Sequence, residues 1–307
     1  MLPSSAEKLS RLLCTGLSSL SQNSGIGHTT EGQPGITDMK SILVPVEDHD
    51  RMEAILSTAA LFARLFSSHV TGFALSPATT PFLAADVVGA SILYEPLTEQ
   101  TEQSAAASRN LFEKFMTEHK IAWDWRDSVA PGDHMVGYLG RVFDVTVAGR
   151  PEQRVSGPRL LTMDAALFDS GRPVLIAPPV APASIGSNVV IAWNRSTETA
   201  RCVALALPVL EAARNITVLT VEGSGVPGPD GQELADYLGA RGIKARAVTI
   251  TPGKRTAGET ILEEAAALEC DLLVKGAFTQ SRLRQIIFGG ATRHILENAE
   301  IPVFMAH

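Results

Sequence analysis

Short apolar runs alternate with longer amphipathic stretches along the chain from residue 41 onward. In the second half, continuous Val, Ile and Leu runs predict strands at residues 189–193, 215–221, 244–250, 271–275 and 301–306. Runs that are apolar at nearly every position are typical of parallel strands buried on both faces. Residues 259–268 place apolar side chains on one helical face and glutamates on the other, which predicts an amphipathic helix. This alternation predicts an α/β fold with a doubly wound parallel sheet.

Three positions mark helix boundaries in the second half. Ser196 predicts an N-cap, because its hydroxyl can accept from the free N–H groups of the following turn. Pro208 predicts a kink near the end of the same helix, since proline lacks an N–H and clashes with the preceding turn. A last helix is predicted at 291–298, directly after the glycine pair at 289 and 290.

The same order of predicted elements occurs twice along the chain. Residues 41–76 and 187–223 each contain an apolar run, a polar turn, a helical stretch and a second apolar run. The stretch "FDVTVAG" later matches "CDLLVKG", with an aspartate (Asp144 or Asp271) five residues before a glycine in each. The first copy holds about 18 extra residues, mostly within 78–108. A tandem repeat predicts two domains of the same fold.

The Pro-rich stretch "APPVAPASIG" marks the boundary between the copies. We therefore predict two tandem doubly wound five-stranded parallel-sheet domains, at 39–178 and 179–307. Residues 1–38 are rich in Ser, Gly and Thr with little periodicity, which predicts a disordered extension. A short amphipathic helix there, and a true start near Met39, stay open as alternatives. No clean cleavage site supports a signal peptide.

The composition of this 307-residue chain argues against several classes of function. Hydrophobic residues make up 45% and charged residues 19%, as in soluble globular proteins. The net charge of −7 argues against a nucleic-acid partner, because neutralising phosphates requires a basic face. No apolar run is long enough to cross a membrane. The three cysteines show no CxxC spacing, so we expect reduced thiols and a cytoplasmic protein.

The segment "KGAFTQSRLRQIIFGGATRHIL" combines a strand end, glycines and a helix start. Gly276 leaves room for a ligand to approach the backbone, and Gly289 and Gly290 precede free N–H groups of the last helix. Such a helix start attracts anions. Neither the P-loop pattern nor GxGxxG is present. Arg282 and Arg284 lie within the segment, and a solvated basic face is the interpretation that we favour for them over phosphate contacts.

This segment, together with the opening "ILVPVE" and the tandem repeat, resembles the universal stress protein family over about residues 40–307. ATP-binding members carry a loop of the form G-x2-G-x9-G-[S/T]. Here the spacing is kept as Gly276, Thr279 and Gly289, with Gly290 at the hydroxyl position. The resemblance implies Rossmann-like domains of the adenine nucleotide alpha hydrolase-like type.

The resemblance also implies an adenine nucleotide, ATP with Mg²⁺, in the second domain. Asn194 matches the acidic residue that bonds the ribose, and Val221 matches the position that lines the adenine through its backbone. The residues that the resemblance implies for cofactor binding are Ala192, Asn194, Val221, Lys275, Gly276, Thr279, Gly289, Gly290, Ala291 and Thr292.

Three departures from the pattern weaken that implication. A β-branched Thr279 would be strained if its φ had to be positive. Gly290 carries no hydroxyl, although Thr292 is near enough in sequence to replace it. Asn194 keeps a donor and an acceptor, but not the charge of an acid. The first copy keeps Glu47 at the strand end but no glycine-led helix after Gly149, so we expect it to be degenerate and not to bind.

Three hypotheses for function follow. The first is a cytoplasmic stress-response protein whose second domain binds ATP, which the retained loop spacing favours. The second is a nucleotide-free dimeric scaffold, which the three departures favour. The third is an enzyme on the same fold; no GxSxG, HExxH or CxxC motif supports it, so we do not expect catalysis beyond slow incidental ATP hydrolysis.

The last strands of the two copies are apolar and should not be left as open edges. Members of the family that the chain resembles pair through these strands. We therefore predict an intramolecular pseudo-dimer in which "RPVLIAP" meets "IPVFMAH". A further homo-dimer of the whole chain is left open.

Overall fold

The computed structural model of the protein describes residues 39–76, 99–152, 157–277 and 290–307. The extension at 1–38 and the loop positions Thr279 and Gly289 lie outside these ranges. Strands and helices alternate through the described part of both copies, and the predicted α/β fold is confirmed. Within that part no helix is both long and apolar enough to cross a membrane.

The first copy contains five strands and four helices within the described residues. Its strands are β1 (Ser41–Val46), β2 (His69–Ser76), β3 (Trp123–Pro131), β4 (Val145–Gly149) and β5 (Val174–Ala177). Its helices are α1 (Met52–Phe66), α2 (Glu99–Glu118), α3 (His134–Gly140) and α4 (Leu160–Asp169).

The second copy follows the same order. Its strands are β6 (Asn188–Ala192), β7 (Asn215–Val221), β8 (Arg246–Ile250), β9 (Leu272–Gly276) and β10 (Val303–Ala306). Its helices are α5 (Thr197–Leu205), α6 (Leu207–Ala212), α7 (Gly231–Gly239), α8 (Ala257–Ala267) and α9 (Gly290–Asn298). The strand bounds differ from the predicted ones by no more than two residues at either end.

All ten strands form one sheet in the order β3-β2-β1-β4-β5-β10-β9-β6-β7-β8. Each copy contributes five parallel strands in the same internal order, as a doubly wound sheet requires. The copies meet where β5 and β10 pair antiparallel, with Leu175 opposite Phe304. The predicted pairing of the two last strands is therefore confirmed, and it leaves neither strand as an open edge.

Side chains alternate between the two faces of this sheet. In β6, Val189 and Ile191 belong to one buried apolar cluster, while Val190 and Ala192 belong to the cluster on the opposite face. Helices α5 to α7 contribute to the first cluster, and α8 and α9 contribute to the second. This two-sided burial is the physical reason why the strands are apolar at nearly every position.

Ser196 and Pro208 both lie at helix boundaries in the second copy, as the sequence predicts. The hydroxyl of Ser196 accepts from the N–H of Thr199 and caps α5. The predicted kink is a complete break at Ala206, after which Pro208 lies in the first turn of α6. Part of the extra length of the first copy lies in α2, which has 20 residues where the corresponding α7 has nine.

The two repeated aspartates have matching structural roles. The carboxylate of Asp271 accepts from the backbone N–H groups of Ser187 (3.1 Å) and Asn188 (2.8 Å), and from the Ser184 hydroxyl (2.9 Å). In the first copy, Asp144 accepts from the N–H and the hydroxyl of Ser41. Each aspartate thus ties the start of one strand to the first strand of its repeat.

We expect Asp271→Ala to lower the free energy of unfolding by about 2–3 kcal/mol, because two half-buried N–H groups lose a charged acceptor. The matched variant Asp144→Ala removes only one such backbone bond and should cost less. Urea denaturation followed by circular dichroism measures both values. Equal losses would show that the second backbone bond of Asp271 adds no stability, and a loss below about 0.5 kcal/mol for Asp271→Ala would show that these bonds do not hold the strands in place.

Candidate functional site

The predicted site residues that the structure describes lie along the carboxyl edge of the sheet. Ala192 ends β6, Val221 ends β7, and Lys275 and Gly276 end β9. Ile191 pairs with Val274, so β6 and β9 reach this edge side by side. Helix α9 begins at the same edge with Gly290, Ala291 and Thr292. Thr279 and Gly289 lie outside the described residues, and their roles stay predictions.

The side-chain oxygen of Asn194 is engaged by the protein itself. It accepts from the Thr199 hydroxyl at 2.6 Å and from the Ser196 N–H at 3.2 Å. Both donors belong to the start of α5, so this oxygen helps to fix the first turn of that helix. Because this oxygen is already bonded within the protein, the Nδ2 amide is the part of Asn194 that is left for another contact, and the predicted contact with a ribose stays a prediction.

Gly276 is required for packing within the protein. A Cβ at this position would lie 2.4 Å from the Thr199 N and 2.6 Å from its Cα. No such approach occurs between real atoms, so any side chain would push the first turn of α5 away from β9. The space beside Gly276 that the sequence predicted for a ligand is therefore filled by Thr199, which is itself buried.

Thr199 is the important residue that sequence reasoning missed. It lies between Asn194, whose side chain it contacts, and Gly276, against which its backbone packs. The signal available was its place three residues after the predicted N-cap Ser196. That spacing indicates a cap contact, but it contains nothing about the strand end against which the cap packs.

Val221 offers little of its backbone to a ligand. Its carbonyl oxygen accepts from the Ser224 N–H at 3.3 Å and from the Ser224 hydroxyl at 2.8 Å. These bonds close the turn that follows β7. Since both lone pairs of the carbonyl have protein donors, adenine contact through this oxygen would require the turn to open.

Lys275 is buried at the end of β9, with only 6% of its surface exposed. Its ammonium donates to the Thr292 hydroxyl at 2.7 Å and to the Gly276 carbonyl at 2.9 Å. No carboxylate within the described residues forms an ion pair with it. Burial lowers the pKa of Lys275 to about 8, so the side chain is still largely protonated at neutral pH.

Two buried thiols lie close to strand β9. Cys202 lies near the backbone of β9 and β10, and Cys270 lies just before β9. Burial raises the pKa of each to about 12, so both are protonated at neutral pH. Both cysteines are free and buried, which agrees with the reduced thiols expected from their spacing.

The first turn of α9 has one open and one inward-facing position. Gly290 is exposed, and a Cβ there would meet no atom of the described residues within 4 Å. Thr292 is buried, and its hydroxyl faces Lys275. The sequence left the direction of Thr292 open; the structure places it inward, on the same side as the ammonium.

The matching edge of the first copy is closed by an internal ion-pair network. Arg159, immediately before α4, contacts the Glu47 carboxylate at 3.3 Å and the Asp133 carboxylate at 2.8 Å. Thr162 also donates to Asp133. Burial, partly offset by Arg159, raises the pKa of Glu47. A guanidinium bound to two carboxylates at the helix start is a physical reason to expect no anion there.

Asp169 takes no part in closing this edge, because it is the last residue of α4 and lies at the opposite end of that helix from Arg159. The helix is led by Arg159 and not by glycine. The carboxylates that occupy the edge are Glu47 and Asp133.

A separate cleft of about 650 Å³ lies at the opposite edge of the sheet, at the amino ends of β6, β7 and β8. Arg214, Lys244, Arg246 and Glu269 are among its lining residues. None of the predicted site residues lines it, so it is distinct from the Asn194–Lys275 edge.

Comparison with known proteins agrees with this architecture. Residues 187–307 match the model of the universal stress protein family. A universal stress protein from Archaeoglobus fulgidus DSM 4304 is 14% identical, with a TM-score of 0.68 over 87% of this chain and 98% of its own. A protein from Pseudomonas aeruginosa UCBPP-PA14 assigned to the same family is also 14% identical, with a TM-score of 0.52 over 87% of this chain and 93% of its own.

Two further comparisons add little. No curated protein matches the chain. A universal stress protein from Archaeoglobus fulgidus in complex with dAMP is 15% identical over 46% of this chain and 99% of its own. Its TM-score of 0.31 is too low to transfer its ligand to this chain.

Two five-stranded parallel repeats that share one sheet define a tandem protein of Rossmann-like α/β domains. Solved structures that cover 87% of the chain have the same fold across both repeats. The second repeat of the chain, residues 187–307, is similar to the universal stress protein family.

Proposed function

We propose that the protein is a cytoplasmic stress-response protein whose second domain binds an adenine nucleotide, with ATP as the expected ligand. The observation that carries this proposal is the difference between the two sheet edges. In the second copy, β6, β9 and the start of α9 meet without an internal ion pair among the described residues, whereas Arg159 closes the first copy. Ligands of doubly wound sheets bind at this carboxyl edge.

The side chains at the edge fit a phosphorylated nucleotide. The Asn194 Nδ2 amide would donate to a ribose hydroxyl, and the free N–H groups at the start of α9 would donate to phosphate. Among the described residues, none comes within 4 Å of the Cβ position of Gly290 at the start of this helix. Mg²⁺ would enter with the phosphates, since it prefers substrate oxygens and water to a complete protein cage.

The alternative is a nucleotide-free scaffold of the same fold. The observation that favours it is the engagement of Asn194 and Val221 by protein donors, which leaves fewer groups for ribose and adenine. This hypothesis predicts that adenine nucleotides change neither the melting temperature nor the heat of titration.

A combined measurement separates the two hypotheses. Purified protein is denatured and the released small molecules are identified by mass spectrometry, and ligand-free protein is then heated with and without MgATP. We expect released adenine nucleotide or a rise in melting temperature with MgATP, because a ligand that binds only the folded state stabilises it. If both results are negative, the scaffold hypothesis holds.

We expect Gly290→Ser to raise the affinity for ATP about tenfold, or about 1.4 kcal/mol, by adding a hydroxyl donor at the start of α9. The open space at this position accommodates the side chain without strain. Isothermal titration calorimetry measures the change. The matched control is Gly239→Ser, which adds a hydroxyl at another exposed, uncrowded glycine away from the site. An equal gain in the control, or no gain at Gly290, would contradict the assignment of phosphate to α9.

A further inference from the structure

The cleft at the amino ends of β6, β7 and β8 carries an excess of positive charge. The charged residues that line it are three cations, Arg214, Lys244 and Arg246, and one anion, Glu269, so its formal net charge is +2. The chain as a whole has a net charge of −7. None of the three cations forms an ion pair with a described residue. Like charges held together without a partner repel one another, so an anion in the cleft would be favourable.

The helices that precede β7 and β8 explain only part of this charge. Arg214 follows the last residue of α6 by two positions, where the partial negative charge of a helix end favours a cation. This effect fades within about one helical turn. Lys244 is five positions beyond the end of α7, and Arg246 is the first residue of β8. Arg214 is therefore accounted for by its helix, whereas Lys244 and Arg246 need another reason.

Arg246 is held in place by a buried neighbour. Thr217 and Arg246 are partners in the parallel register of β7 and β8, so their side chains lie on the same face of the sheet. The Arg246 Nε donates to the Thr217 hydroxyl at 3.0 Å, and Thr217 is only 5% exposed. Both terminal NH2 groups of the guanidinium are left without an acceptor among the described residues. A guanidinium oriented in this way presents the fork of donors that binds a carboxylate.

Two amides at the same edge are fixed by a chain of hydrogen bonds. The Asn188 Nδ2 donates to the Glu269 carbonyl at 3.1 Å, and the Asn215 Nδ2 donates to the Asn188 Oδ1 at 2.8 Å. Each amide nitrogen has a second proton that these bonds do not use. The polar lining of the cleft is thus largely ordered by the protein itself, which lowers the entropy lost when a ligand binds.

The size and the apolar lining of the cleft fit a small organic molecule. Its volume of about 650 Å³ lies within the range of about 300–1,000 Å³ that is usual for ligand pockets. Val190 and Leu268 line it beside the polar groups and belong to the apolar face covered by α8 and α9. A carbon skeleton between anionic groups would contact both kinds of surface.

The cations are spread along the cleft, which favours a ligand with two anionic groups. Arg214 precedes Thr217, the partner of Arg246, by three positions, or about 10 Å at about 3.3 Å per residue. One carboxylate cannot contact both ends of such a row. Two carboxylates would also balance the formal charge of +2, whereas a bisphosphate would exceed it.

We propose that this cleft is a binding site for a small organic dicarboxylate. The Arg246 guanidinium binds one carboxylate, and Arg214 and Lys244 neutralise the other. The site lies at the opposite edge of the sheet from Asn194 and Lys275, so it does not require the proposed nucleotide function.

The test uses the full chain and three dicarboxylates of increasing length, glutarate, adipate and suberate. Isothermal titration calorimetry at constant ionic strength should show that at least one of them binds with one molecule per chain, and at least tenfold more tightly than the monocarboxylate hexanoate. In Arg246→Met we expect about tenfold weaker affinity, because a charge-assisted pair is lost. The matched control is Arg201→Met, which removes an exposed arginine that does not line the cleft and should leave the affinity within twofold.

Glu269→Gln should change the affinity in the opposite direction. It removes the one acid of the lining and keeps the backbone carbonyl that Asn188 bonds. We expect about threefold tighter dicarboxylate binding, because the repulsion between two carboxylates is lost. A gain of affinity cannot result from misfolding, so this variant supports the site even if Arg246→Met proves unstable.

Four results would overturn the proposal. The first is that none of the three dicarboxylates binds the wild type. The second is that Arg246→Met and Arg201→Met weaken binding equally, since the attraction would then come from overall charge. The third is that Glu269→Gln leaves the affinity unchanged. The fourth is that fructose 1,6-bisphosphate binds at the cleft, as judged by its loss in Arg246→Met, more tightly than every dicarboxylate.

Discussion

Gly276→Ala is expected to lower the free energy of unfolding by about 3 kcal/mol, at the upper end of the usual cost of overpacking. The added Cβ would lie 2.4 Å from the Thr199 N and 2.6 Å from its Cα, and these are backbone atoms that no rotamer change can move. Relief requires α5 to shift away from β9. That shift would also disturb the Asn194 contact with Thr199.

Urea denaturation of Gly276→Ala measures this cost directly. Gly290→Ala is the matched control, because its Cβ meets no atom of the described part of the chain within 4 Å, and the stability of this variant should change by less than about 1 kcal/mol. A loss below about 1 kcal/mol at Gly276 would contradict the close packing of α5. Because Gly276 has this structural role, a larger substitution such as Gly276→Asp would confuse loss of fold with loss of ligand.

Ligand-free protein is expected to gain about 3 kcal/mol of stability from Lys275 as the pH rises from about 8 to about 10.5. Burial lowers the pKa of this lysine from 10.5 in the unfolded chain to about 8 in the folded protein. Within that interval the unfolded chain binds a proton that the folded protein has released. Stability contributed by this group therefore increases with pH there, and below about 8 its charge is a constant cost.

Comparison with Lys275→Met isolates this effect from the titration of other residues over the same range. Cys202, the titratable neighbour of Lys275, has a pKa of about 12 and stays protonated through most of it. Urea midpoints at several pH values, in buffers free of phosphate and sulfate, should show a rise in the wild type that the variant lacks. Parallel pH profiles would show that Lys275 is not buried as a cation.

The fold could be predicted from the local runs of apolar residues because its strands are buried on both faces. Residues 215–221 are almost entirely apolar or β-branched, and the observed strand has the same bounds. The repeat then fixed the plan of the first copy, and the apolar last strands predicted the β5–β10 pairing. The Ser196 cap was predictable for the same reason, since its donors are the next few residues of the chain.

The chemistry of the site depends on contacts between residues distant in sequence, which the pattern does not contain. Gly276 indicates a close approach, but the sequence does not say that the neighbour is Thr199. The ion pairs of Arg159 join three separate loops of the first copy. Lys275 lies in an apolar strand; the family resemblance implied a ligand contact for it, but the sequence did not show that its ammonium is buried.

We propose that the second repeat alone holds a nucleotide site. Calorimetric titration of ATP into ligand-free protein counts such sites through the stoichiometry of binding. We expect one ATP bound per chain, because Arg159 closes the edge of the first copy. No binding would contradict the nucleotide site, and two ATP molecules per chain would contradict the closure of the first copy.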